Sequence, residues 1–296
     1  MVCIGRSVQD AGIAKFLSRR WLMVRSLWSA ATGMNAQQTN VDTISNNLAN
    51  VNTTGFKAQG AQFKSLLYQE LQTVTTTANG TPKPTNSQVG LGVRTSTINQ
   101  YFSQGSFLDS DNPAALAISG DGFFSYLSSD GTTQLYTRNG NFTWALADAG
   151  GTTLELTTAE GNPVLDVNGA PITITNAVAS RITIGSDGRI YYPDEQGVPQ
   201  PRNGQIGLWQ FSNREGLERV GSAAWQETPA SGAAIPEATG QNIKRSELVQ
   251  GYLEGSNVNV ATEMVNLIVA QRAYEMNSTA IQTTDEMMQT ANSLKR

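Results

Sequence analysis

The sequence contains no histidine and a single cysteine, Cys3, in 296 residues. Without histidine, Ser/His/Asp and Cys/His catalysis are excluded, and so are the usual zinc, copper and haem ligand sets. One cysteine cannot close an internal disulfide, so cysteine usage leaves the compartment open. Charge is scarce as well: 15% of residues are Asp, Glu, Lys or Arg, against about a quarter in ordinary soluble domains. The 20 basic and 24 acidic residues leave a net −4, the wrong sign for a nucleic-acid footprint. No apolar run approaches the ~18 residues of a membrane-spanning helix. Thr, Asn, Ser and Gln replace the missing charge, and the length suggests two domains with room for a sizeable core. No cofactor is expected.

Glycine and proline are absent from residues 256–296, though 28 glycines punctuate the whole chain. In that stretch Val260, Leu267, Tyr274, Ile281 and Met288 recur every seven residues, flanked by Met264, Ile268, Ala270, Met287 and Ala291. Seven residues are nearly two helical turns, so these side chains form one stripe on a helix predicted over residues 258–294. Such a helix would be roughly 55 Å long, too long for a small globular domain, and its stripe needs a partner. Near the other end Leu27, Met34, Val41 and Leu48 keep the same spacing, with Ala30, Ala31, Ile44 and Ser45 between them. The pattern predicts terminal helices paired as a coiled-coil-like domain, with the middle of the chain inserted. An ordinary helical subdomain is the other reading, because neither stretch carries sustained heptads with charged flanks.

Residues 1–22 hold Arg6, Lys15, Arg19 and Arg20 against Asp10, and their apolar residues are interrupted by polar ones throughout. That is not the unbroken apolar core of a Sec signal. The segment reads as an upstream extension before a start at Met23, with a basic amphipathic targeting helix as the alternative. An exported chain of this kind would leave without a cleaved Sec peptide.

Residues 35–54 are dominated by amides and hydroxyls, which are mediocre helix formers, so an isolated helix there would be marginal. Gly55 is expected to stop the helix or turn the chain, with Phe56 and Phe63 as apolar anchors. The run Asn46-Asn47-Leu48-Ala49-Asn50-Val51-Asn52-Thr53-Thr54-Gly55-Phe56-Lys57 resembles the N-terminal signature of the bacterial flagellar rod and hook family. Met23-Val24-Arg25-Ser26-Leu27-Trp28 resembles the family's beginning. Glu263-Met264-Val265-Asn266-Leu267-Ile268 and Gln271-Arg272-Ala273-Tyr274-Glu275 are similar to its C-terminal motif, continued by Ala280-Ile281-Gln282-Thr283 and Asp285-Glu286-Met287. The resemblance runs from Met23 to the end, about 270 residues.

Between the ends, residues 23–65 read as N-terminal helix and motif, 66–100 as an extended connector, 101–225 as an antiparallel β domain, 226–257 as a return segment and 258–296 as the C-terminal helix. Asn257 or Asn259 is placed to cap that helix. In the connector, Gly90-Leu91-Gly92 lacks a full phosphate-loop or dinucleotide fingerprint and reads as strand or bulge glycine. The β domain is marked by the pairs Asp121-Gly122, Asp130-Gly131, Asn139-Gly140, Asn168-Gly169, Asp187-Gly188 and Asn203-Gly204, which supply the positive φ of tight hairpins. Strand-like runs lie at 123–127, 135–137, 152–157, 172–175, 181–184, 189–192 and 206–211, suggesting a sandwich or irregular barrel. Asp109 and Asp111 begin something like a calcium loop, but Pro113 follows and Gly120 stands where the closing Glu belongs. Asp121, Asp130, Asp187 and Glu195 are the carboxylates a glycosidase pair would draw on, though Asp in turns is expected anyway. Trp144, Tyr191, Tyr192 and Trp209 fit core packing or subunit contacts better than a sugar platform.

The family words continue through this region at Phe102-Ser103-Gln104-Gly105-Ser106-Phe107, Ala117-Ile118-Ser119-Gly120-Asp121-Gly122-Phe123-Phe124 and Tyr136-Thr137-Arg138-Asn139-Gly140-Asn141-Phe142. Gly90-Leu91-Gly92-Val93 and residues 209–221 are most similar to distal rod members, while the turn at 145–153 is longer than usual. The resemblance implies an α+β subunit without catalytic, cofactor or metal residues. It also implies self-assembly into the distal rod of the basal body, a drive shaft carrying torque to the hook. Implied partners are copies of itself, other rod and hook subunits, P- and L-ring proteins where an outer membrane exists, and the type III export apparatus. Hook or proximal rod is the alternative within the family. From the residues alone, a wall-glycan hydrolase and a secreted adhesin also stay open. The terminal segments are expected to fold only on assembly, with heterologous contacts building an open helical array.

Overall fold

The computed structural model describes residues 7–72, 87–147, 152–194, 198–221, 223–240 and 243–294. Pro82 and Pro84 of the connector, Glu195, and residues 148–151 of the lengthened turn lie outside them. Two long helices stand at the ends of the chain, α1 at Ser7–Ala49 and α2 at Val260–Ser293. The chain divides into two units: one of residues 1–46, 59–99 and 261–296, the other of residues 47–58 and 100–260.

In the first unit the hydroxyl-rich sequence is helical, and its threonine hydroxyls bond back into the helix. Thr39 Oγ1 donates to the Asn35 carbonyl at 3.1 Å and Thr43 Oγ1 to that of Thr39 at 2.8 Å. In α2, Thr279 and Thr284 donate to the Glu275 and Ala280 carbonyls at 2.9 and 2.7 Å. A hydroxyl satisfied this way no longer competes for the backbone of another turn. Two strand pairs accompany the helices: Gln59–Ser65 with Val93–Gln100, and Tyr68–Gln72 with Ser87–Gly90. Gly92, at φ +113°, lies so close to α1 that an added Cβ would stand 2.1 Å from Thr32 Oγ1. The Gly90-Leu91-Gly92 run is thus strand end and close approach. Phe63, expected as an anchor, is exposed.

The second unit is antiparallel throughout, but its strands divide among several small sheets instead of forming one sandwich. The largest sheet has the order Glu218–Arg219, Ala224–Gln226, Gln134–Thr137, Phe123–Leu127, Leu208–Gln210, Ile235–Pro236. Phe123–Leu127 sits centrally and is buried on both faces, as a near-continuous apolar run requires. Phe124 enters a core with Leu116, Ile118, Phe142, Leu156, Ile190 and Leu248, whereas Phe123 enters an aromatic cluster with Tyr136, Phe211 and Trp225. Trp144 and Tyr192 pack on the first core and Trp209 on the second. The return segment is not a plain tether: Glu247–Gln250 pairs with Leu116–Ser119, and Tyr252–Glu254 with Phe107–Asp109.

The glycine pairs split by mechanism. Gly131, Gly169 and Gly188 take the positive φ expected of turns. Asn203-Gly204 is no hairpin turn: Gly204, at φ +135°, lies inside Pro199–Gln205, where the register against Arg189–Pro193 shifts as a bulge. Gly122 and Gly140 lack positive φ; Gly140 is required because an added Cβ would lie 1.7 Å from the Leu116 carbonyl oxygen.

Candidate functional site at the meeting of the chain ends

The second unit contains the last residues of α1 and the first of α2, and the segments beside them meet there. After Ala49 the chain turns through bonds from Asn50 N to the Asn47 carbonyl and from Thr53 N to that of Asn50, both 3.2 Å. Gly55 follows at φ +70°, where a Cβ would stand 2.6 Å from Asn139 N. Phe56 and Lys57 are then driven inside. Phe56 is wholly buried beneath the Arg219 guanidinium, 4.8 Å from its ring centre.

Lys57 Nζ lies 2.6 Å from Glu254 Oε1, and Arg138 Nη1 lies 3.2 Å from Glu254 Oε2; all three side chains are 0% exposed. Further hydrogen bonds tie the cluster to the backbone, although Arg138 Nε is left without a partner among the described residues. Lys57 also donates to the Ser103 carbonyl at 2.8 Å, Arg138 to that of Gly120 at 2.8 Å, and Gly105 N to Glu254 Oε1 at 3.0 Å. Gly55 N donates to the Glu254 carbonyl at 2.8 Å. Asn257, expected as a helix cap, clamps instead: it accepts from Ala58 N at 2.7 Å and donates to the Tyr101 carbonyl at 2.7 Å. Burial pulls the Lys57 ammonium below the usual lysine range, with Glu254 opposing and Arg138 reinforcing. Removing Glu254 would strand two buried cations, at about 3–5 kcal/mol.

The motif residues therefore divide by role. Asn47, Gly55 and Phe56 are buried, Leu48, Asn50 and Thr53 half-buried, Ala49 and Asn52 exposed. Thr54 Oγ1 reaches Asn139 Oδ1 at 2.9 Å. Reading the sequence missed Lys57, Arg138 and Glu254 as partners, although the first two stand inside recognised words. Two basic residues and one acid spread over the chain carry no spacing signal.

In the first unit the predicted stripe is split. Ile44 is buried and Leu27, Met34, Val41, Leu267, Ile281 and Met288 are half-buried, but Met264, Ile268 and Tyr274 are exposed; Val260, at the start of α2, is exposed too. The most buried positions of α2 are Ala270 and Thr284. A Cβ on Gly33 would lie 2.9 Å from Asn277 Nδ2, and Gln38 and Val41 line a groove with Gln271, Tyr274 and Glu275. Asn277 and Thr284 were hidden from an apolar pattern because they are polar. Outside this line, Val265, Val269 and Met276 are 59%, 62% and 67% exposed.

Among the described residues, the suggested carboxylates do not form a catalytic set. Asp121 pairs with Arg214, and Asp187 with Arg189 at 3.4 Å; Asp130 is exposed in a turn. Asp109 lies on the strand Phe107–Asp109 and Asp111 in the bend after it. Among the described residues, no three His, Cys, Asp or Glu stand close enough to hold a metal ion. A cleft of about 320 Å³ beside Thr53 and Thr54 is lined mainly by hydroxyls and amides, with Glu160 its one carboxylate.

Comparison with known proteins assigns the whole arrangement. Residues 27–57 match the family described as flagella basal body rod protein, residues 117–192 the flagellar hook protein FlgE/F/G D1 domain, and residues 249–294 the flagellar basal body rod FlgEFG protein C-terminal family. The flagellar basal-body rod protein FlgG of Borreliella burgdorferi is 43% identical over 278 residues, 93% of this chain and 100% of the relative. FlgG of Buchnera aphidicola subsp. Schizaphis graminum is 42% identical over 275 residues, covering 92% and 100%. FlgG of Bacillus subtilis is 40% identical over 275 residues, covering 93% and 100%. The chain belongs to the FlgG family of flagellar basal-body rod proteins, and is a structural subunit of the distal rod, not an enzyme.

Proposed function

We infer that this subunit polymerises with copies of itself into the helical shaft of the distal rod, through terminal helices that pair in a coiled-coil-like manner and are completed by neighbouring copies. The supporting observation is the apolar row Val265, Val269 and Met276, left open on α2 beside exposed Met264 and Ile268. A helix apolar on more than one face is a helix meant to be surrounded. The approach of Gly33 to Asn277 and the groove between Val41 and Tyr274 support pairing of the two helices inside one subunit. The predicted assembly residues then take two roles: Ile44, Leu267, Ile281 and Met288 face the subunit's own pair, while Val260, Met264 and Ile268 face neighbours.

In this reading the rod carries torque to the hook, meets other rod and hook subunits at its ends, and is ringed by P- and L-ring proteins where an outer membrane exists. The chain leaves the cell interior through the type III export apparatus without a cleaved Sec peptide. Amide exchange tests the assembly claim: residues 27–46 and 261–293, the helical parts in the first unit, are expected to exchange rapidly in the lone chain and to become protected in the polymer. Equal, strong protection in both states would overturn it.

A further inference from the structure

We propose that Glu254 is the positioning residue that sets residues 47–58 and 252–258 in register, and that the buried charges serve alignment and not stability. Tyr252–Glu254 pairs with Phe107–Asp109 over only three residues: Tyr252 with Asp109, Leu253 with Leu108, Glu254 with Phe107. Tyr252, Phe107 and Leu108 are 40%, 42% and 45% exposed, so burial of apolar side chains holds this pairing only weakly. Upstream, Leu248 against Ile118 is fixed by burial. Gly251, at φ +77°, lies between the two pairings, donating to the Ala115 carbonyl and accepting from Ser110 N at 2.9 Å each, and the three-residue strand beyond it has few contacts of its own to fix its register.

The charges penalise every slip. A shift by one residue would bring Leu253 or Gly255 to the place of Glu254, and a shift by two would bring Tyr252 or Ser256. In each case Lys57 and Arg138, both 0% exposed at the side chain, would lose their only counter-charge among the described residues. Burying a cation without a partner costs far more than the few exposed contacts a slipped strand would keep. The correct register also closes bonds from Gly55 N to the Glu254 carbonyl and from Gly255 N to that of Ser106, each 2.8 Å. Residues 47–58 and 252–258 are thereby fixed to each other.

Alignment and stability can be separated, because a buried ion cluster replaced whole by apolar side chains often leaves the fold as stable as before. The test uses the full-length chain with Lys57→Met, Arg138→Met and Glu254→Met together. Amide exchange is read at Gly55 and Gly255 for register and at Ile118 and Phe124 for the core. The expected result is core protection at the wild-type level and protection at Gly55 and Gly255 reduced by roughly 100-fold. Wild-type protection at both glycines would overturn the proposal. A second set, Lys57→Leu, Arg138→Met and Glu254→Leu, repeats the loss of charge with different packing. Unfolding of both sets would show that the charges supply stability, and would equally overturn it.

Discussion

Gly140 and Gly131 are the same residue type in the same kind of dipeptide, yet the structure needs them for different reasons. Gly131 stands at φ +68° with nothing within 4 Å of an added Cβ, whereas Gly140 needs no unusual φ but abuts the Leu116 carbonyl. A methyl on Gly131 therefore meets only the left-handed penalty, about 1–2 kcal/mol. A methyl on Gly140 must push two backbones apart and stretch the 3.0 Å bond from Leu116 N to the Gly140 carbonyl, adding an overpacking cost of about 1–3 kcal/mol to a weakened bond. Denaturant unfolding of Gly140→Ala and Gly131→Ala should rank the first as clearly more destabilising. Equal losses would mean that the close approach is softer than the geometry indicates.

At the scale of the helix, α2 separates stability from assembly. Val269 is 62% exposed, so Val269→Glu should change the thermal stability of the lone subunit by no more than about 0.5 kcal/mol. It would place a charge where the inferred shaft requires carbon, and polymer growth followed by sedimentation should fall to background. A polymer that still grew would remove this face from the contact surface. The existence of both helices was legible because a seven-residue apolar repeat has few other outcomes, and the C-terminal one also lacks Gly and Pro. Which face turns inward was not, since the most buried positions of α2 are Ala270 and Thr284, small or polar residues that an apolar pattern passes over. Some β strands were legible for a related reason, since turn residues bracket short apolar runs, but Leu116–Ser119, Phe142–Leu146 and Pro199–Gln205 were not read as strands. The meeting of Lys57, Arg138 and Glu254 was illegible, because three charges far apart in sequence share a site only once the sheets have formed.

For the whole molecule, the lack of histidine leaves tyrosine as the informative pH probe. Burial, with help from Glu227, pushes the Tyr136 phenol well above its ordinary value of 10.0, and burial with Glu160 raises Tyr126. A raised folded value means the unfolded chain ionises first. The stabilisation is thus fully present below about pH 10 and is lost as pH rises beyond it. Urea unfolding between about pH 9 and 11 should show stability falling with pH, less steeply for Tyr136→Phe than for the wild type; identical slopes would remove Tyr136 as the cause. One further property follows from the open side of the C-terminal helix. Met264, Met276 and Met287 stand there with their thioethers in solvent, 49%, 67% and 53% exposed. Peroxide would turn those sulfurs into polar sulfoxides, so in the inferred assembly a subunit waiting to be built in would be the oxidant-sensitive form, and incorporation into the shaft would itself shield it.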